Sequence, residues 1–191
     1  MNTHQLRIYF EEMEKHACWA LEAFDRIQDN PDSSAGDLFS SAHQMLGHAG
    51  VVSRLLWPEE MLVPRENRRI SLRRYKRALE RAEHLRERLA VDEKNPLNQP
   101  ALRKHIAGFE QNLDMWIDDG LDQIVLPSNP TDNLKGRRVG RIAEDVLRHF
   151  NLDSGDFDLR GTVFPLQAIA EALTDLRLRI DLVLEKELTA A

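Results

Sequence analysis

The sequence has a single cysteine, Cys18, and no long uninterrupted run of apolar residues. One cysteine excludes an internal disulfide bond and is typical of a reducing compartment, so we predict a cytoplasmic location. A membrane span needs about 20 consecutive apolar residues, and no segment approaches that length. The charged, amphipathic N-terminus also lacks the apolar core of a signal peptide. We therefore expect no membrane partner.

Signatures of cofactor and metal sites are also missing. No glycine-rich loop joins a strand to a helix, and no Glu-x-x-His pair of a ferritin-like di-metal site occurs. His43 and His48 share a predicted helix, but their directions differ by about 140°, so a straight helix cannot aim both at one ion. His48 lies between Met45 and Val52 and is predicted to be a hydrogen-bonded core histidine. We predict no cofactor and no metal ligand.

Charge is unevenly distributed along the chain. The formal net charge is −6, yet residues 65–88 contain ten Lys/Arg and four Glu, a local balance of +6. One interpretation is a solvated helix face paired with acidic neighbours. The other is a surface that binds RNA or an acidic protein. The candidate binding residues of this second interpretation are Arg69, Arg73, Arg77 and Arg81.

Apolar residues recur at helical spacing over most of the chain. They predict helices over about 3–27, with Thr3 as N-cap, over 35–57, over 70–90, and between Pro100 and Gly120. The third helix is predicted to bury one side along its whole length, formed by Leu72, Tyr75, Leu79, Ala82, Leu85 and Leu89.

The chain changes character after residue 120. Residues 146–150 and 157–163 are predicted to form two strands joined by a loop, with a helical turn at 142–147 as the alternative to the first strand and a further candidate strand at 123–126. A last helix is predicted to begin near Pro165. We predict a mainly α fold, an up-and-down bundle of about five helices with a small antiparallel β insertion before the last helix. Residues 1–191 form one domain with three parts: a four-helix core (1–120), an irregular segment with a β-hairpin (121–164), and a C-terminal helix packing on the bundle (165–191).

Two segments resemble the HEPN superfamily, in particular a group of uncharacterised bacterial proteins. One is the helix that follows Pro100, whose arginine is Arg103. The other is residues 41–58, a histidine-containing helix that ends in Ser-Arg-Leu-Leu-Trp-Pro. The resemblance implies a helical bundle and, for the ribonuclease members, RNA cleavage without metal by an arginine and a histidine, often brought together across a dimer. Of this pair only Arg103 matches, because Gly108 occupies the position assigned to the histidine.

Three hypotheses follow. The first is a non-catalytic binding or interaction module, homodimeric and contacting RNA, with Arg103 tied up by Asp114 and its neighbours. The second is a metal-independent endoribonuclease in which Arg103 works with a non-standard base such as His105, or Arg77 with His84. The third and weaker one is a DinB-like metal-binding bundle, which the Gly-His-Ala run around His48 resembles.

Overall fold

The computed structural model describes residues 2–29, 34–59, 68–104, 113, 114, 117, 148–151 and 154–189. It confirms the predicted fold class: mainly helical, with a small antiparallel sheet before the last helix. The elements in chain order are α1 (Thr3–Asp29), α2 (Ala35–Leu56), α3 (Arg68–Leu89), α4 (Pro100–Lys104), β1 (Arg148–Asn151), β2 (Asp156–Leu159), β3 (Thr162–Pro165) and α5 (Leu166–Thr189).

Helices α1 and α2 form an antiparallel pair at the centre of the fold. Arg26 contacts Gln44 and His16 contacts His48, so the two helices run in opposite directions. Fully buried alanines at the seam leave room for the two backbones to approach closely. Buried residues from all eight elements join the same hydrophobic cluster.

The start of α1 differs from the prediction by one residue. Asn2, not Thr3, caps the helix: its Oδ1 accepts a hydrogen bond from the Gln5 backbone N at 2.9 Å. The Gln5 side chain accepts one in return from the Asn2 N at 3.1 Å, which completes a capping box.

The predicted buried side of α3 holds only for the C-terminal half of the helix. Ala82, Leu85 and Leu89 are buried as expected, but Leu72 and Leu79 are exposed. The prediction for these two leucines is wrong, because an apolar spacing shows which residues share a face and not whether another element covers it. Tyr75, the other residue predicted to be buried in the N-terminal half of α3, is half-buried.

The described part of the β segment, residues 148–151 and 154–165, contains three strands where the sequence predicted two. They form an antiparallel meander in the order β1-β2-β3, with Phe150, Phe157 and Phe164 in register across it. The second predicted strand is interrupted by a tight turn at Arg160 and Gly161, whose φ angles are 49° and 76°. Two consecutive residues with positive φ are typical of the type I′ hairpin turn. In most sequences asparagine or aspartate precedes the glycine of such a turn, whereas here the residue is arginine.

Much of the predicted fourth helix lies outside the described residues. Leu113, Asp114 and Ile117 are helical, but His105 and Gly108 are not among the described residues, nor are residues 121–147 of the irregular segment. Among the helices that are described, none is both long and apolar enough to cross a membrane.

Candidate functional site

Arg103, the arginine singled out by the sequence, lies near the C-terminal end of α2. It is only 8% exposed. Its Nε donates to Glu59 Oε1 at 3.1 Å. Its Nη1 donates to Asn98 Oδ1 at 3.1 Å and to Ser53 Oγ at 3.4 Å. The guanidinium is thus held by three chain segments.

The residues around Arg103 form a wider, partly buried network. The Ser53 hydroxyl donates to the Leu97 carbonyl at 2.6 Å, and Arg54 Nη1 donates to the Arg103 carbonyl at 2.7 Å. Gly50 makes this docking possible, because a Cβ at that position would lie 2.7 Å from the Leu102 carbonyl oxygen. The network fastens α4 and the preceding loop to the end of α2.

These contacts show which residues hold the Arg103 guanidinium. Arg103 is tied up as expected, but its carboxylate partner is Glu59 and not Asp114, which is exposed. Among the described residues, no histidine contacts its guanidinium. The sequence did contain a signal for these partners, because Ser53 and Glu59 lie in and directly after the Ser-Arg-Leu-Leu-Trp-Pro turn.

The exposed half of α3 carries a dense row of cations. Residues 68–79 contain six Lys/Arg and no acidic residue. Arg69, Arg73, Lys76 and Arg77 fall within an arc of about 100° on this helix, and we call these four residues the α3 cationic stripe. All four are exposed. Within the described part of the chain, none of them has a hydrogen bond or an ion pair.

Arg81, the fourth predicted binding residue, has a different environment. It is half-buried, and its guanidinium lies 5.4 Å from the Tyr9 ring centroid. It also donates to the carbonyls of Arg54 and Leu55 at 3.4 and 3.5 Å, while Arg86 donates to that of Leu56. Cations at the carbonyl end of a helix satisfy its last acceptors. Arg81 therefore stabilises the end of α2 and is not part of the α3 cationic stripe.

The histidines are arranged in a way the sequence did not reveal. His16 and His48, on different helices, have their Nδ1 atoms 3.0 Å apart. Trp19, which is 44% exposed, lies with its ring centroid 5.2 Å from each imidazole. His48 is hydrogen-bonded, as predicted, but half-buried rather than in the core. His43 points elsewhere and packs edge-on against Phe157.

No protein-family model, curated protein or solved structure matches this chain. The function is therefore inferred from the residues themselves. Across the described residues, no group of three or more His, Cys, Asp or Glu side chains could hold a metal ion.

Four histidines make stability depend on pH. Burial lowers the pKa of His16, His43, His48 and His149 below the ordinary value. In the unfolded chain the same side chains titrate near about 6.5, so below that pH the unfolded state binds more protons. The contribution of the four histidines to the free energy of unfolding is fully present above about pH 6.5. It is lost as the pH falls toward the lower pKa values of the folded state.

We therefore expect the urea midpoint of unfolding to fall between about pH 7.5 and 5.5. His43→Leu removes one of these groups and should reduce that fall. His84→Gln is the matched control, because the His84 side chain is half exposed. An unfolding midpoint independent of pH over this range would contradict the expectation. Burial raises the pKa of Asp158, so protonation of this carboxylate at more acidic pH favours the folded state, which is the opposite of the effect of the histidines.

Proposed function

We propose that this protein is a non-catalytic, HEPN-like helical module that binds RNA through the α3 cationic stripe. The observation that carries the proposal is the row of four exposed cations without an acidic partner among the described residues. Solvated cations of this kind are usually neutralised by nearby carboxylates, as Arg7 is by Glu11 on α1. The stripe has no such ion pair among the described residues, which favours an external polyanion.

The spacing of the stripe favours RNA over an acidic protein. Arg69 and Arg77 are eight residues apart, so the stripe extends about 12 Å along the helix. A nucleic-acid strand carries roughly one phosphate per 3.4 Å of helix axis, so four cations match the charge of a short strand segment. Three of the four are arginines, which bind phosphate oxygens through two parallel hydrogen bonds.

The environment of Arg103 supports a role without catalysis. A catalytic arginine must reach the phosphate whose charge it stabilises. Here the guanidinium is buried and engaged by Glu59, Asn98 and Ser53. The contact with Ser53 also supports the family proposal, because it joins the two segments that resemble the HEPN superfamily, residues 41–58 and the helix after Pro100.

The test is binding of a labelled single-stranded RNA, measured by fluorescence anisotropy while a gel checks the length of the RNA. With four phosphate contacts, affinity should fall about 50-fold between about 50 and 200 mM salt, and the RNA should remain uncut. Binding that ignores salt, or no binding, would refute the proposed surface. Preferential binding of an acidic peptide would assign the stripe to a protein partner.

We also propose that the protein is a homodimer. Leu178 and Leu182, one turn apart on α5, are both exposed, which supports an apolar contact with a second copy. Light scattering on the same sample should give twice the 22.0 kDa of one chain. A mass of one chain at micromolar concentration would remove the dimer.

A further inference from the structure

A second site is formed by His16 of α1 and His48 of α2. Their Nδ1 atoms are 3.0 Å apart, and both side chains are half-buried, so solvent still reaches the pair. The two rings are tilted by 46° to one another rather than stacked. Trp19 flanks both imidazoles and is itself exposed.

A separation of 3.0 Å suits a hydrogen bond, and it also suits two nitrogens that bind one octahedral or square-planar metal ion. With metal–nitrogen bonds of about 2.0–2.1 Å, nitrogens 3.0 Å apart subtend an angle of about 91–97° at the ion. Adjacent ligands in octahedral or square-planar coordination make such an angle, and Ni²⁺ and Cu²⁺ prefer those geometries. A tetrahedral ion such as Zn²⁺ would need the nitrogens about 3.4 Å apart.

We propose that His16 and His48 together bind one divalent transition-metal ion through their Nδ1 atoms, Cu²⁺ and Ni²⁺ more tightly than Zn²⁺. Two protein ligands leave further positions on the ion for water or another small ligand, and the exposed side of the pair gives these access. The site shares no residue with the α3 cationic stripe, so it does not depend on RNA binding.

The charged side chains nearest to His16 have opposite effects on the binding of a cation. Glu12, one turn earlier on α1, favours a cation, whereas Lys15 and Arg54 oppose it. The Glu12 carboxylate is already paired with Lys15 at 2.7 Å, so the net field does not assist binding. We therefore expect an exchangeable site of moderate affinity, below that of a closed site with four protein ligands.

The test uses the full chain without a polyhistidine tag. Calorimetric titration with Cu²⁺, Ni²⁺ and Zn²⁺ should show one ion per chain, with Cu²⁺ bound most tightly. Cu²⁺ and Ni²⁺ should also quench Trp19 fluorescence, because its ring lies 5.2 Å from both imidazoles. Trp19→Phe should remove most of the quenching while the heat of binding remains.

Substitutions separate this site from incidental binding. His16→Gln and His48→Gln should each weaken Cu²⁺ binding at least about tenfold, since each removes one of two ligands. His43→Gln, on the same helix as His48, should leave the affinity unchanged. In the unsubstituted protein, lowering the pH to about 5.5 should release the ion, because protons compete for the ring nitrogens. No heat up to about 100 μM metal, or equal affinity in His16→Gln and the unsubstituted protein, would overturn the proposal and leave the pair a hydrogen bond.

Discussion

Replacing Arg103 by alanine is expected to lower the free energy of unfolding by about 3 kcal/mol. The substitution removes a buried cation and leaves the Glu59 carboxylate and the Asn98 side-chain oxygen without this donor. The expected cost lies at the lower end for broken buried ion pairs, because the Glu59 side chain is 34% exposed and water can reach it. For a chain of this size, the melting temperature should fall by about 6–12 °C.

Two variants control this measurement. Arg103→Lys keeps the charge but loses the planar fork, so its loss of stability should be intermediate. Arg7→Ala breaks an exposed ion pair with Glu11 and should cost less than about 0.5 kcal/mol. Unchanged stability in Arg103→Ala would mean that Arg103 is not a structural residue, and the endoribonuclease hypothesis would then gain weight.

Reversing three charges of the stripe should weaken RNA binding by about 100-fold at low salt, since each lost charge-assisted contact contributes about 1 kcal/mol. The variant combines Arg69→Glu, Arg73→Glu and Arg77→Glu. Its remaining binding should depend less on salt, because fewer counterions are released. These side chains are exposed and unpaired among the described residues, so the fold should be retained.

The matched control places the same change of net charge on α1, as Arg7→Glu, Lys15→Glu and Arg26→Glu. If location matters, the control should retain most of the affinity for RNA. Equal losses in both variants would show that only total charge matters, contrary to a defined surface. The triple variant Arg69→Lys, Arg73→Lys and Arg77→Lys keeps the charge but loses the paired hydrogen bonds, so its affinity should lie between those of the unsubstituted protein and the glutamate variant.

The sequence was sufficient for the helices and insufficient for what covers them. The apolar residues whose spacing predicted α1 and α2 include Leu6, Phe10, Val52 and Leu56, and these four are buried. The same kind of spacing in α3 failed at Leu72 and Leu79, because periodicity describes one helix and burial needs a second element. The turn at Arg160 and Gly161 was missed because arginine rarely begins a turn with positive φ.

The partners in the candidate sites were also not predicted, because they lie far apart in the sequence. Arg103 could be selected from its segment, but Glu59 and Ser53 are 44 and 50 residues away from it. Likewise, His16 and His48 are 32 residues apart on different helices. Spacing within one helix correctly separated His43 from His48, yet it could not show that α1 brings another imidazole to the seam.

Photo-crosslinking of an RNA that contains 4-thiouridine, followed by peptide mapping, tests the central claim most directly. The expected result is intact RNA attached to peptides from residues 68–79. RNA that is cut, with its fragments attached around Arg103, would contradict a binding module and make this arginine part of an active site.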